Sequence, residues 1–352
     1  MKILFVGLGG IGQRHVRNLR HLLGSDVDII AYRTRRQTHV ITPELNADSN
    51  RNVEMEYSIQ VSLDLNEALS QNPTIAFICN PSNLHVSVAE ACIERGCDIF
   101  VEKPLSDSMD GLVKLVRNAA DLKRVAMVGY QLRFHPCLKK IAEVVQSGSL
   151  GNLLAIRATV GEDLTRWHPY EDYRNMYASS GNLGGGVVLS QIHEIDYLYS
   201  LFGLPEQVFA VGGHWSDLEI DVEDTASILM TFRVGNRSLP VHLHQDYLQW
   251  PPNRQCELIG DRGKAVMDLR TPSVTIFKRD NDTPEIHTFP DFERNQLFLD
   301  EMRHFLDCVR TRRKPVVDLK DGLQSLKMAL AAKQSMQTHM PVDMEDFDLG
   351  TL

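Results

Sequence analysis

Two residues in the sequence carry side chains that could assist a proton or hydride transfer. Lys103 stands between Glu102 and Pro104, directly after a predicted strand at residues 98–101. A lysine at the carboxyl end of a parallel strand can donate a hydrogen bond to a hydroxyl or carbonyl oxygen of a ligand. His193 carries an imidazole, which titrates near neutral pH and can exchange the proton of an alcohol. On residue type alone, Lys103 could equally be a surface lysine and His193 a buried histidine with a structural role.

A glycine-rich segment at the start of the chain predicts a dinucleotide site. Its sequence, Gly-Leu-Gly-Gly-Ile-Gly at residues 7–12, follows a predicted strand at residues 2–6 and opens a predicted helix. Gly7 permits a tight turn, Gly9 allows the backbone to approach a pyrophosphate, and Gly12 allows the helix to pack on the strand. The helix N-terminus then presents free N–H groups to the phosphates. The residues predicted to contact the dinucleotide here are Gly7, Gly9, Gly10, Ile11 and Gly12.

The end of the second predicted strand indicates which dinucleotide is bound. NAD-preferring domains place Asp or Glu there, about 20 residues after the last glycine, to hold the ribose 2′-hydroxyl. This chain has Tyr-Arg-Thr-Arg-Arg at residues 32–36, without a carboxylate. Guanidinium groups pair with a 2′-phosphate and stack on adenine, so we expect NADP(H) to be preferred, with NAD(H) as the alternative. Arg33 is the first candidate for the phosphate contact, followed by Thr34 and Arg36, and a solvated basic loop is the competing interpretation.

The elements that must position these residues divide the chain into two predicted domains. Up to residue 130, short continuous runs of Ile, Val and Phe alternate with helical patterns, which is typical of buried parallel strands in βαβ units. We therefore expect an NAD(P)-binding Rossmann domain at residues 1–130, of the α/β class, with a doubly wound parallel sheet. Residues 131–352 predict an α+β substrate-binding and oligomerisation domain with a large, open, mainly antiparallel sheet and a helix over residues 186–201. In this arrangement the C-terminal helix can pack back on the first domain.

Composition and charge exclude several classes of protein. The 352 residues include 37 Lys and Arg against 46 Asp and Glu, a formal net charge of −9, and an acidic chain without a basic run is repelled by nucleic-acid phosphates. No apolar stretch approaches the ~20 residues that cross a bilayer. The six cysteines form no CxxC pair, which indicates buried thiols in a reducing compartment instead of disulfides or a metal site. We expect a cytoplasmic protein without nucleic-acid, membrane or metal partners.

Further motifs follow the glycine turn in order along the chain. They are Cys-Asn-Pro-Ser-Asn-Leu-His at residues 79–85, Glu-Lys-Pro at 102–104, Gly-Tyr-Gln-Leu-Arg-Phe-His-Pro at 129–136, and Gly-Gly-Gly at 184–186 with His-Glu-Ile-Asp at 193–196. This ordered set resembles the Gfo/Idh/MocA oxidoreductase family, named after glucose–fructose oxidoreductase and inositol dehydrogenase, over nearly the whole chain. The resemblance implies a Rossmann domain joined to an α/β domain with a large open sheet. It also implies that NAD(P) oxidises or reduces a sugar or cyclitol hydroxyl.

The resemblance implies roles for individual positions. Lys103 corresponds to the family's active-site lysine, which binds the reacting oxygen, and His193 corresponds to its general acid/base. Both would contact the substrate, together with Tyr130 as an alternative proton donor. The remaining positions implied to lie against the cofactor, with Lys103, are Asn80, Pro81, His85, Glu102 and Gln131.

One position departs from the family pattern. Relatives commonly have an aspartate shortly before the histidine, where this chain has Ser190. A serine can hydrogen-bond but supplies no negative charge. Either the contact to the substrate differs, with Ser190 making it, or another carboxylate, Glu194 or Asp196, takes the role.

A polar, aromatic segment at residues 167–174 is a candidate substrate loop. Aromatic rings suit the faces of sugars, and arginine suits a carboxylate or phosphate, which favours Tyr173 and Arg174 as contacts. A packed surface loop is the alternative interpretation.

These observations predict an NAD(P)-dependent dehydrogenase or reductase. It would transfer a hydride between nicotinamide and a hydroxyl or keto carbon of a sugar, a sugar derivative or a cyclitol. Two alternatives stay open, namely a redox-neutral NAD-dependent glycoside hydrolase and a non-catalytic NADP-sensing binding protein. We expect a homodimer or homotetramer formed through the C-terminal sheet, because an open sheet face favours self-association.

Overall fold

The computed structural model describes residues 1–34 and 37–347. Its first half contains eight strands: β1 (Lys2–Val6), β2 (Asp28–Tyr32), β3 (His39–Ile41), β4 (Ala47–Asn52), β5 (Ile59–Ser62), β6 (Ile75–Ile78), β7 (Asp98–Glu102) and β8 (Ala126–Gly129). The helices of this half are α1 (Gly10–Leu23), α2 (Val53–Glu56), α3 (Leu65–Ser70), α4 (His85–Glu94) and α5 (Leu112–Asp121).

Six of these strands form a parallel sheet in the order β5-β2-β1-β6-β7-β8. Every residue of β6 and β7 is buried, as expected for strands covered by helices on both faces. The direction of strand order reverses between β1 and β6, and α/β sheets bind ligands in the crevice at such a point. The predicted doubly wound parallel sheet is therefore confirmed.

The second half is built on a nine-stranded sheet. Its strands are β9 (Leu153–Gly161), β10 (Gln207–Gly213), β11 (Thr225–Val234), β12 (Arg237–Asp246), β13 (Asn253–Gly260), β14 (Gly263–Asp268), β15 (Ser273–Lys278), β16 (Asn281–Thr288) and β17 (Val342–Asp343). Their order is β16-β15-β14-β13-β9-β12-β11-β10-β17. Only the β9–β12 pair among them is parallel, so the prediction of a mainly antiparallel sheet is confirmed.

Helices cover one face of this sheet and leave the other open. They are α6 (Pro136–Ser147), α7 (Val187–Ser190), α8 (His193–Phe202) and α10 (Leu319–Thr338), whereas α9 (Arg294–Thr311) packs on the first half of the chain. Along β11, Ile228 and Met230 are buried, whereas Leu229 between them is 53% exposed. This alternation follows from the two-residue period of a strand.

The helix predicted over residues 186–201 is instead two helices, α7 and α8. Between them, the side chain of Gln245 donates a hydrogen bond to the carbonyl oxygen of Gln191 at 2.7 Å, and the side chain of Gln191 donates to the carbonyl oxygen of Asp246 at 2.9 Å. Gln191 is thus hydrogen-bonded to β12 through both its backbone oxygen and its side chain, and the helix is interrupted at this residue. As a result, His193 is the first residue of α8.

Helix α9 packs on the parallel sheet, and α10 contacts both this sheet and the large one. Phe305 of α9 lies edge-on to Phe77 and Phe100, with ring centroids 5.7 and 5.6 Å apart. The backbone N–H of Val128 in β8 donates to the carbonyl oxygen of Val317 at 3.1 Å. The parallel sheet is therefore packed against elements from both ends of the chain.

The structure bears on two predictions made from the composition, one about cysteines and one about membrane-spanning segments. All six cysteines are free and buried, as predicted for buried thiols. In the described ranges, no helix combines the length and apolar character needed to cross a membrane.

Candidate active site

The glycine-rich turn between β1 and α1 leaves one side open. Gly7 has φ +92°, and a Cβ atom on it would lie 2.9 Å from the carbonyl oxygen of Cys79. A Cβ atom on Gly12 would overlap with the carbonyl oxygen of Gly7, whereas one on Gly9 would meet no atom within 4 Å. Helix α1 begins at Gly10 without a side-chain cap and without an acidic residue in its first turn. Its first N–H groups are available to a ligand, and a pyrophosphate fits this arrangement.

Tyr170, from the predicted substrate loop, covers this turn. A Cβ atom on Gly10 would overlap with the Tyr170 hydroxyl, whose ring stacks on His168 with centroids 5.0 Å apart. Burial raises the pKa of Tyr170, so the hydroxyl keeps its proton and can donate a hydrogen bond. Ile11 packs partly buried against the core beside the turn. The loop at residues 167–174 therefore borders the cofactor turn.

The end of β2 is folded against a nearby carboxylate. Arg33 is 6% exposed, and its guanidinium donates to Oε1 of Glu54 at 3.1 Å and to the carbonyl oxygen of Gln37. Thr34 is exposed. Arg36, also predicted to approach the 2′-phosphate, lies outside the described residues. The structure thus gives Arg33 a protein partner that sequence reasoning missed.

The loop after β6 places a histidine between two backbone carbonyls. Nδ1 of His85 lies 2.9 Å from the oxygen of Pro104, and Nε2 lies 2.8 Å from the oxygen of Asn80. His85 therefore ties the loop of Asn80 and Pro81 to the turn after β7. The side-chain oxygen of Asn80 is buried and has no hydrogen-bond partner within the described ranges, so it is an acceptor available to a ligand.

Lys103 reaches across the crevice to the second half of the chain. Its Nζ atom donates to the carbonyl oxygen of Ser190 at 2.9 Å and to the hydroxyl of Tyr177 at 3.3 Å. Both partners are neutral, so neither cancels the charge of the ammonium group. Ser190 itself is buried at the end of α7.

The residue before Lys103 is paired with a histidine of α1. Nε2 of His15 lies 2.6 Å from Oε1 of Glu102, and the backbone N–H of Lys103 donates to Oε2 at 3.2 Å. Burial opposes ionisation of Glu102, but the hydrogen bond and charge of His15, together with Lys103, hold its pKa below the usual value. Glu102, predicted to contact the cofactor, is thus a buried carboxylate that fixes the end of β7.

His193 faces the same crevice from the start of α8. It is 6% exposed, and the amide nitrogen of Gln131 lies 3.1 Å from its Nε2 atom. Burial lowers the pKa of His193 well below its ordinary value, and the positive charges of Lys103, Arg254 and Arg294 lower it further. The imidazole is therefore neutral at physiological pH, and Nε2 can accept a proton.

Tyr130 and the two nearby carboxylates are engaged behind His193. The ring of Tyr130 is fully buried and lies edge-on to the imidazole, with centroids 5.8 Å apart. Glu194 forms a two-pronged ion pair with Arg254 at 2.7 and 2.8 Å, and Asp196 does the same with Arg133 at 2.7 and 2.8 Å. Both carboxylates are therefore already paired with arginines, and neither is hydrogen-bonded to His193; a role for either in place of the family's aspartate stays a prediction.

Tyr173 and Arg174 are held by a different segment of the chain. Arg174 is half-exposed and pairs with Asp172 at 2.6 Å and with Glu219 at 2.8 Å. The hydroxyl of Tyr173 accepts a hydrogen bond from the backbone N–H of Glu219 at 3.3 Å. Their contact with substrate stays a prediction, and the guanidinium of Arg174 already has two carboxylate partners.

Sequence reasoning missed four residues that border the crevice: His15, Tyr170, Tyr177 and Arg294. His15 left a detectable signal, because it is a polar residue on the buried face of α1, three positions after Gly12. Tyr170 lies within the predicted loop but was not singled out. Tyr177 and Arg294 become visible only when distant segments are brought together.

Comparisons with known proteins agree with this arrangement. Residues 1–130 match the Gfo/Idh/MocA family model described as an oxidoreductase family with an NAD-binding Rossmann fold. Residues 142–344 match the model for the C-terminal alpha/beta domain of the same family. The chain is 25% identical to myo-inositol 2-dehydrogenase of Thermotoga maritima over 356 aligned residues, covering 98% of this chain and 99% of the relative.

Solved structures share the fold at lower identity. An oxidoreductase from Agrobacterium radiobacter, in complex with NAD+, L-tartaric acid and magnesium, superposes with a TM-score of 0.80 at 15% identity, over 98% of both chains. The WlbA dehydrogenase from Bordetella pertussis, in complex with NADH and UDP-GlcNAcA, gives a TM-score of 0.76 at 20% identity, over 97% of this chain and 98% of that one.

Proposed function

The chain belongs to the Gfo/Idh/MocA oxidoreductase family, and on that premise we propose that it transfers a hydride between a nicotinamide dinucleotide and a CH–OH or keto carbon of a sugar, sugar derivative or cyclitol. One observation carries the proposal. The ammonium of Lys103 donates to the backbone of Ser190 at 2.9 Å, three residues before His193, so the lysine and the histidine border one crevice. An ammonium and a neutral imidazole are the two groups that alcohol oxidation needs beside a hydride acceptor.

The cofactor would be held by the glycine turn and the loops after β2, β6 and β7. Open space beside Gly9, uncapped N–H groups at the start of α1, and the unpartnered oxygen of Asn80 fit a dinucleotide. Pro81, His85, Glu102 and Gln131 would shape the nicotinamide end of this site. When bound, the nicotinamide ring supplies the hydride acceptor or donor.

Lys103 and His193 would both contact the reacting oxygen of the substrate. Lys103 would donate a hydrogen bond to this oxygen and stabilise the negative charge that develops on it as the proton leaves. Neutral His193 would take that proton at Nε2 during oxidation and return it during reduction. Gln131 would orient the imidazole through its contact at Nε2, and it must give up that contact when the substrate enters. Tyr130, buried behind the ring, would support its orientation.

We propose that the cofactor is NADP(H) in preference to NAD(H). The support is the absence of a carboxylate at residues 32–36 and the presence of three arginines there. Glu54 now holds Arg33, so a 2′-phosphate would have to compete with this carboxylate for the guanidinium. We expect Arg33→Ala to weaken NADPH binding far more than NADH binding, and Glu54→Gln to strengthen NADPH binding. Equal effects of each substitution on both cofactors, measured by fluorescence titration, would contradict the preference.

We also propose that copies of the chain associate through the open face of the large sheet. This face exposes apolar side chains, among them Leu229 at 53%, Phe277 at 41% and Ile286 at 61%, and exposed apolar area of this kind favours self-association. Leu229→Asp is expected to lower the mass measured by light scattering to that of a smaller assembly. A wild-type protein that is monomeric at micromolar concentration would contradict the proposal.

The function is tested by cofactor binding followed by turnover. A thermal-shift screen compares NADPH with NADH, and a panel of sugars and cyclitols is then added while absorbance at 340 nm is followed. We expect stabilisation by the cofactor and a net absorbance change with at least one compound. Product without net absorbance change would indicate a redox-neutral hydrolase. Binding of cofactor without any turnover would indicate a sensing protein.

A further inference from the structure

Arg294 is the first residue of α9 and lies near the proposed catalytic histidine. It is exposed, and its guanidinium makes no hydrogen bond or ion pair with any described residue. Surrounding protein lowers the pKa of Arg294, the nearby carboxylate of Glu162 opposes this shift, and the charges of Arg254 and Arg270 add to it.

The charges around Arg294 do not balance. Arg254 is neutralised by Glu194 at 2.7 Å, and Arg270 lies 3.8 Å from Glu162. Three guanidinium groups therefore share two carboxylates. The ammonium of Lys103, which bonds only neutral groups, adds to the excess of positive charge in the crevice of a chain whose net charge is −9.

The position of Arg294 on α9 places it beside the crevice. It lies four residues before Phe298, so both side chains share one face of the helix. Phe298 packs on α1, where its ring carries the guanidinium of Arg14 at 4.6 Å and meets the ring of His15 at 6.1 Å. Arg294 is also close enough to His193 for its charge to lower the pKa of that imidazole. The guanidinium is thus near both the cofactor-binding helix and the proposed catalytic histidine.

The other arginine expected to bind an anion is already occupied. Arg174, favoured from the sequence, has Asp172 and Glu219 as partners. A ligand anion would have to displace both, whereas Arg294 is hydrogen-bonded to no described residue and has only the charge of Glu162 nearby.

We propose that Arg294 binds an anionic group of the substrate, a carboxylate or a phosphate ester, so that the sugar turned over at this site is an acidic one. The inference rests on the proposed function and names the substrate class of the same site. A guanidinium presents two parallel N–H donors that match a carboxylate or phosphate. A neutral sugar would leave the excess positive charge of the crevice without compensation.

Calorimetric titration of the protein saturated with NADPH tests this assignment. The probes are glucuronate and glucose 6-phosphate, each compared with glucose, the neutral parent. We expect at least one acidic probe to bind about tenfold or more tightly than glucose, and Arg294→Gln to remove that difference. Arg303→Ala is the matched control, because Arg303 lies on the same helix but pairs with Asp300 at 2.9 Å, and it should leave the difference unchanged.

Each other result overturns the inference in a distinct way. If neither acidic probe binds more tightly than glucose, or if the preference survives Arg294→Gln, Arg294 does not bind an anionic group of the substrate. If Arg294→Gln weakens NADPH itself as strongly as the probes, the guanidinium serves a cofactor phosphate. Arg294→Ala repeats the test if the glutamine variant melts early. If NADPH does not bind at all, the proposed function fails, and the same titrations on the cofactor-free protein still decide the role of Arg294.

Discussion

Two buried histidines flank the crevice, and they differ in the charges that surround them. His15 is bonded to the carboxylate of Glu102 at 2.6 Å, whereas His193 meets the neutral amide of Gln131 and cationic side chains. The cations around His193 favour its neutral ring. His15 therefore holds the end of β7 just before Lys103, and His193 is kept in the form that accepts a proton. The surrounding charges, and not the residue type, therefore distinguish the roles of the two histidines.

The largest effect is expected at Lys103. Lys103→Met removes the ammonium that would stabilise charge on the reacting oxygen, and kcat/KM should fall by about 10³. Steady-state rates with the best compound of the panel measure this. Melting temperature should stay close to that of the wild type, and cofactor affinity should fall far less than kcat/KM. A loss below tenfold would mean that the ammonium group of Lys103 has no catalytic role.

Substitution of His193 should have the next largest effect. His193→Asn keeps a hydrogen-bonding side chain but cannot take a proton at neutral pH, and kcat/KM should fall by about 10². His15→Asn should instead act mainly on melting temperature. If the two substitutions gave the same loss of rate at unchanged stability, the two histidines would not differ as described.

The pH dependence of the rate tests the neutral state of His193 directly. Its pKa is lowered by burial and by nearby cations, so the neutral base predominates above a pH that lies below the ordinary histidine value. For oxidation, kcat/KM should stay flat through neutral pH and fall only as pH drops through this lowered pKa. A midpoint above the ordinary value of 6.5 would contradict the electrostatic account.

Glu102→Gln should destabilise the fold by a smaller amount, about 1–3 kcal/mol at neutral pH, because it weakens a buried charged hydrogen bond. The pKa of Glu102 is held below its unfolded value of 4.5. Its contribution is therefore complete above that pH and is lost as pH falls through the lower, folded pKa. Urea unfolding at several pH values measures this, with Glu90→Gln at the exposed pair with Lys114 as control.

Glu301→Gln should have the smallest effect and the opposite sign. Both carboxylate oxygens of Glu301 are buried without a partner within the described ranges, and burial, with the charges of Glu102 and Asp196, raises its pKa well above the usual value. The wild type then loses stability as pH rises from the unfolded pKa towards the raised, folded one. The glutamine variant should be more stable by about 1 kcal/mol at pH 8. A destabilised variant would show that Glu301 is ionised and paired.

Much of the fold could be predicted because it depends on local pattern. The glycine turn needs only its own strand and helix, and continuous apolar runs such as β6 and β7 reflect burial on both faces. Lys103 could be placed at the carboxyl edge of the sheet for the same reason. These features depend on neighbours within a few residues.

The charges of the site could not be predicted because they depend on distant pairs. Arg254 reaches Glu194 across 60 positions of sequence and so pairs with a carboxylate that was a candidate for the role of the family's aspartate. The break between α7 and α8 depends on Gln245, 54 positions from Gln191. Arg294 stands out only because its neighbours are already paired. Sequence spacing carries none of this information.

The central claim is that Lys103 and His193 act together beside the nicotinamide ring. A crystal structure of the protein with NADP+ tests it most directly, because it requires no knowledge of the sugar. The account predicts that the pyrophosphate lies on the N–H groups of the Gly9–Gly10 turn and that both side chains border the same face of the nicotinamide ring. A ring that lies elsewhere, or a dinucleotide that leaves either side chain outside the crevice, would contradict it.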